Sequence, residues 1–152
     1  MKSRFQIFGH PIHAMLVAYP IALYLIALVC DLIYLWRGDP FWYRMAFWSI
    51  LFGLIGNLAA GASGILDLVA LRKEVPAATR PAMIHLFVGS LLVVIYLSSL
   101  ALRDWGVVHD GAPVVFLPII LNFIGSGFVG LQGWYGGELV YRYGIGIDQE
   151  ER

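Results

Sequence analysis

Four long apolar stretches constrain this chain more than any other feature. They run from about Pro11 to Trp36, from Tyr43 to Leu71, from Arg80 to Leu102 and from Pro113 to Tyr141. Crossing the hydrocarbon core of a bilayer takes roughly 20 apolar residues as helix, and each stretch is long enough. Backbone groups in lipid must be satisfied internally, which leaves helices or closed barrels. The strict alternation of a barrel strand is absent. Apolar residues make up 60% of the 152 and charged residues 13%, far from a soluble domain. The reading is therefore an all-α integral membrane protein, one transmembrane domain over residues 1–152.

Turn-forming residues separate the spans. Gly9-His10-Pro11 puts proline at a first helical position, where its missing N–H costs nothing. Gly38-Asp39-Pro40, Val75-Pro76, Arg80-Pro81 and Asp110-Gly111-Ala112-Pro113 mark the other boundaries. Short connections make neighbouring helices antiparallel, which predicts an antiparallel four-helix bundle. Pro20 and Pro118 are expected to bend the first and fourth helices. The first apolar run lacks a small-residue cleavage pattern, Val29 before Cys30 included, and reads as a retained anchor.

Lys2, Arg4, Arg72, Lys73, Arg80, Arg142 and Arg152 fall at one end of the bundle; Arg37, Arg44 and Arg103 fall at the other. By the positive-inside rule this places both termini in the cytoplasm and the chain in the inner membrane. Trp36, Trp42, Tyr43 and Trp105 read as an outer aromatic belt, and Trp134, Tyr135, Tyr141 and Tyr143 as an inner one.

Lipid removes the hydrophobic drive between helices, so close packing needs small residues. The second span carries Gly53, Asn57, Ala60, Gly64 and Asp67 on one face, and the third carries His85, Gly89, Leu92, Tyr96 and Ser99. The fourth offers Asn122, Ser126, Gly130, Gly133 and Gly137. These faces are expected to meet, with Asn57 and Asn122 as interhelical donors.

Ionisable groups inside a span are costly and mark function by default. His10, His13, Asp67, His85 and Glu138 all fall near the inner end. At 1.5 Å per residue, His13, Asp67 and His85 lie within about 3 Å of one depth. Three chemistries suit the set. His13 and His85 could ligate a haem b iron from two helices, with His10 nearby and Asp67 and Glu138 orienting the ligands. The same imidazoles could hold a non-haem divalent transition metal. Or the groups could hold a quinone headgroup or relay protons. A structural explanation stands beside these: His10 caps the first helix, Asp67 pairs with Arg72 or Arg80, and Glu138 reaches cytoplasmic water. His109 sits in the outer loop, away from the cluster.

No phosphate loop, nucleophile elbow or His-Glu-x-x-His helix occurs, so the chain reads as a non-enzyme more readily than an enzyme. Cys30 alone gives neither an internal disulfide nor a cysteine metal cluster. Zero formal charge gives no field for nucleic acid. The partners left open are the lipid bilayer, subunits of an electron-transfer or other membrane complex, and a second copy of the chain.

The run Gly9-His10-Pro11-Ile12-His13-Ala14-Met15-Leu16-Val17, followed by Tyr19-Pro20-Ile21, resembles the opening of a bacterial membrane family, domain of unknown function 2231. The resemblance extends over nearly the whole chain, through Asp67 after Gly64, His85, and the closing Gly136-Gly137-Glu138-Leu139-Val140-Tyr141-Arg142-Tyr143-Gly144. It implies four helices. Some members are fused to a Rieske iron–sulfur domain, which implies an electron-transfer setting and puts haem first among the three chemistries. Ala14 stands where many relatives have proline, and Ala18 where many have a further histidine. A cofactor held here would then rest on His13 and His85. The leading expectation is a small redox or electron-transfer subunit; the alternative is a cofactor-free accessory subunit of a larger membrane complex.

Overall fold

The computed structural model describes residue 3, residues 5–108 and residues 115–147, the side chains of 104–108 excepted. A short hairpin, β1 (Gln6–Ile7) and β2 (His10–Pro11), leads into α1 (Ile12–Leu16) and α2 (Ala18–Arg37). Then come α3 (Pro40–Glu74), a 3-10 turn (Pro76–Ala78), α4 (Thr79–Val108) and α5 (Phe116–Tyr141). Four helices are long and apolar enough to cross a membrane: Ile12–Arg37, Pro40–Glu74, Pro76–Arg103 and Phe116–Tyr141. The start expected at Pro113, and His109, lie outside the described residues.

Local chemistry accounts for the ends. Pro20 has no N–H for the carbonyl one turn back at Leu16, and the first span breaks there into α1 and α2. Gly38 closes α2 in the left-handed region (φ 70°), donating to the Tyr34 carbonyl at 2.8 Å. Asp39 caps α3 by accepting from Phe41 N, and Pro40 follows at the first helical position. Pro118 does not play the bending role expected of it. It falls in the first turn of α5, where a missing N–H leaves nothing unpaired.

α2, α3, α4 and α5 pack in that order around a ring that α2 and α5 close. The first and third spans are therefore diagonal. The centre of the bundle is a stack of Tyr24 on Tyr96, ring centroids 3.7 Å apart and 8° from parallel. Gly53 and Gly125 make that stack possible: a Cβ on either would stand 2.7 or 2.8 Å from a tyrosine carbon. Leu25, Val29, Phe52, Ile55, Val94 and Phe123 point outward, as lipid-facing side chains do.

The end of the bundle that carries both termini, called inner after the side expected from charge, is closed by chain on both sides. Ser3 Oγ donates to Asp67 Oδ2 (2.6 Å), and Ile12 N–H to the Phe5 carbonyl (3.0 Å). After α5, Gly144 turns left-handed; its N–H bonds the Val140 carbonyl and that of Ile145 the Leu139 carbonyl. That turn folds Ile145 back against Leu71 and Ala82.

Candidate functional site

The structure brings the His13 and His85 rings together edge to face across the diagonal, centroids 6.1 Å apart and 72° between planes. Each ring is held by a third helix. His13 Nδ1 donates to the Ala60 carbonyl of α3 (2.7 Å), which also accepts from Ser63 Oγ. His85 Nδ1 donates to the Gln132 carbonyl of α5 (3.1 Å). A carbonyl can only accept, so Nδ1 carries the hydrogen in both rings and Nε2 is left as the basic nitrogen. On His85 that nitrogen already accepts from the Gln132 side-chain amide at 3.1 Å.

Glycines let the rings sit so deep. A Cβ on Gly64 would stand 3.0 Å from the His13 ring, one on Gly136 would stand 3.2 Å from His85, and one on Gly89 would stand 2.9 Å from the Gln132 amide. Just above, Asn57 Nδ2 donates to the Gly89 carbonyl at 3.4 Å, the interhelical bond the sequence suggested.

The other candidates make contacts of their own. His10 is exposed on β2, opposite Ile7 in the hairpin. Asp67 holds Ser3. Glu138 pairs with Arg142 at 3.0 Å along the same helix, on the wall of an outward-facing groove lined by Gly133, Trp134, Gly137 and Tyr141.

Haem and metal can be weighed on these observations. A 6.1 Å centroid separation is close to that of two imidazoles sharing one iron. The space a porphyrin plate needs is already used: the His13 ring fills the place before Gly64, and the Gln132 amide fills that before Gly89 while bonding His85 Nε2. As they stand, the residues do not fit haem. Among the described residues, no three His, Cys, Asp or Glu side chains come close enough to hold a metal ion.

The packing stripe of α5 also needs correction. Gly130 and Gly133 are exposed and meet nothing within 4 Å, and Gly137 meets only Tyr141 of its own helix. The face that packs is Asn122, Gly125, Ser126, Val129, Gln132 and Gly136. The expected stripe holds at Asn122 and Ser126 and then drifts one position around the helix, and so it misses Gln132.

A second polar cluster, at the outer end, was not foreseen. Asp31, Arg103 and Asn122 are wholly buried. Arg103 Nη2 and Asn122 Nδ2 both donate to Asp31 Oδ2, at 2.5 and 2.7 Å. Arg103 Nε donates to Ser99 Oγ (3.4 Å), which donates to the Pro118 carbonyl (2.9 Å). Tyr43 lies under the guanidinium, 4.5 Å from its centroid, and so is not part of an outer aromatic belt. Arg103 likewise is not a surface cation. The signal is present in the sequence: Asp31 is the only acid of the first span, and Arg103 is the cation that meets it from the third.

A family model described as "Predicted membrane protein (DUF2231)" matches residues 9–149. No curated protein and no solved structure matches the chain.

Proposed function

Since the chain belongs to the DUF2231 family of predicted membrane proteins, we propose that it is a small proton-transfer subunit of the inner membrane, taking up protons at its cytoplasmic end through His13 and His85. The observation that carries this is the pair itself. Two imidazoles from diagonal helices meet inside the bundle, each with Nδ1–H on a carbonyl and Nε2 as the basic nitrogen. The His13 ring so placed accepts a proton at Nε2 and can release one from Nδ1; His85 does the same when the Gln132 amide turns its oxygen, rather than its nitrogen, to Nε2. Nothing about packing requires it, since leucine would fill the same space without a polar atom to satisfy.

Orientation follows from charge. With Arg103 turned inward onto Asp31, the outer end keeps only Arg37 and Arg44 of its three cations, and the positive-inside bias grows. A reporter active only in the cytoplasm should give signal when fused at Arg152 and none when fused within 104–111. The opposite pattern would reverse the direction of transfer.

The test is flux. Purified protein in sealed vesicles, with a potassium diffusion potential and an internal pH dye, should acidify faster than empty vesicles. His13→Ala and His85→Ala should each bring the rate to the empty-vesicle level, while Ser90→Ala, on the lipid face, should leave it unchanged. Equal flux in the double histidine variant would end this reading.

The electron-transfer reading has one observation in its favour, the 6.1 Å spacing of the rings. It requires Gln132 to swing off His85 and the first and third spans to part around a porphyrin. A dithionite-reduced visible spectrum decides it: a sharp α band lost in His85→Ala supports haem b, and a featureless trace removes it.

A further inference from the structure

The hairpin ahead of the first span carries an aromatic residue where its own backbone disfavours one. Phe8 and Gly9 form the tip between β1 and β2, both at positive φ (51° and 82°). A two-residue turn of this kind favours asparagine or aspartate before its glycine, because a bulky side chain is strained there. Yet Phe8 is 98% exposed, and Phe5 and Ile7 beside it are half-exposed. The ring therefore gains no burial within the described chain, and strain without an internal return points to a contact outside it. Apolar side chains grouped on a surface mark such contacts.

Depth identifies what lies there. Ser3 Oγ ties the base of the hairpin to Asp67 on one side and to Phe5 N–H on the other, and Phe5 pairs with Ile12. From Asp67, α3 runs about 10 Å further to its end at Glu74. From Phe5 to Phe8 an extended chain reaches about 10 Å. Even pointing straight out, the tip goes no further than the end of α3, where the exposed Arg72 and Lys73 mark the headgroup region. A surface left uncovered by chain at this depth meets headgroups and the first acyl carbons. The surface next along the chain is of the same kind: Met15 and Tyr19, four residues apart on the first span, are both exposed. We propose that Phe8, with Ile7 and Phe5, inserts into the bilayer interface at the inner end and anchors the hairpin there. Apolar side chains bury themselves at the boundary between headgroups and acyl chains, and that burial offsets the strained turn. The anchor does not depend on the proton-transfer reading.

Spin labelling of the full chain in vesicles of phosphatidylcholine and phosphatidylglycerol tests the anchor. A nitroxide on Ile7→Cys, with Cys30→Ala to leave a single thiol, keeps Phe8 in place. Its depth, read from relaxation by oxygen against a water-soluble nickel chelate, should fall between lipids labelled at the headgroup and lipids labelled on the acyl chain. Adding Phe8→Ser should raise nickel access about tenfold, as the loss of one buried phenylalanine implies. If the Ile7 variant does not fold, the same label on Phe5→Cys reads the depth of the same tip. Nickel access as high as that of a free label in water would put the tip outside the bilayer and overturn the anchor. Shielding from both reagents would also overturn it, because a second copy or another protein would then cover the tip. Unchanged nickel access in Phe8→Ser would overturn it as well, since the contact would not need the ring.

Discussion

The two ends of the bundle solve the same problem in opposite ways. At the inner end, neutral rings from α1 and α4 rest on backbone carbonyls, and glycine gives them room. At the outer end, full charges from α2 and α4 meet each other, with an amide from α5 on the same oxygen. Neutral groups need only hydrogen bonds to be tolerated away from water. A buried charge needs its partner, and losing one strands the other. Loss of either inner ring therefore strands no charge, whereas the outer pair is also what holds that end together.

The largest effect should follow from breaking the outer pair. Asp31→Ala leaves Arg103 charged, enclosed and unpaired, which costs about 3–5 kcal/mol for a buried pair. Thermal unfolding in detergent should show a large loss, with much of it regained in Asp31→Asn, Arg103→Gln. His85→Ala should lose far less by the same measurement, because no charge is stranded. Equal losses at the two ends would erase the contrast.

Next come the glycines. Gly53→Ala puts a methyl 2.7 Å from the Tyr24 ring, which Tyr96 backs at 3.7 Å and cannot let move away. Overpacking of this kind costs about 1–3 kcal/mol. Gly133→Ala, where nothing lies within 4 Å, should leave the melting temperature unchanged or raise it. Gly64→Leu should lower it and also displace His13. If Gly133→Ala destabilised as much as Gly53→Ala, the lipid-facing side of α5 would be an occupied surface.

These outcomes also show which parts of the design can be read in advance. Span number, span limits and helix diagonals follow from hydropathy, proline and loop length, because lipid leaves the backbone few choices. The pairing of His13 with His85 was legible from equal depths on diagonal helices. Gln132 was not, since a glutamine among glycines gives no periodic signal and its role depends on helix rotation. Asp31 and Arg103 lie 72 residues apart, and each alone looks like an interfacial charge. Only matching depths between acids and bases, as was done for the histidines, would have joined them. Depth also placed Asp67 with the imidazoles, and what the sequence did not show is its bond with Ser3, a residue ahead of the first span.

That last contact sets the smallest effect and sharpens the comparison at the inner end. Ser3 Oγ donates to Asp67 Oδ2 and accepts from Phe5 N–H, so it ties the hairpin to α3 through two bonds. The hairpin tip carries Phe8 and Gly9 at positive φ (51° and 82°), a turn that a two-residue hairpin favours but a phenylalanine does not. The tip is therefore held by its attachments more than by its own preference. Ser3→Ala removes a hydrogen bond to a charged acceptor, worth about 1.5 kcal/mol. The Ser3 bond is not the sole interaction of Asp67, so α3 itself should be undisturbed and bundle melting unchanged. Local opening should show it instead: the Ile12 amide, which bonds the Phe5 carbonyl, should exchange with solvent roughly tenfold faster. His13 lies one residue further on, and easier opening there would admit water to its ring and speed proton uptake without altering the outer cluster. Unchanged exchange at Ile12 would mean that the inner end is closed by the bundle itself and that the hairpin is only draped over it.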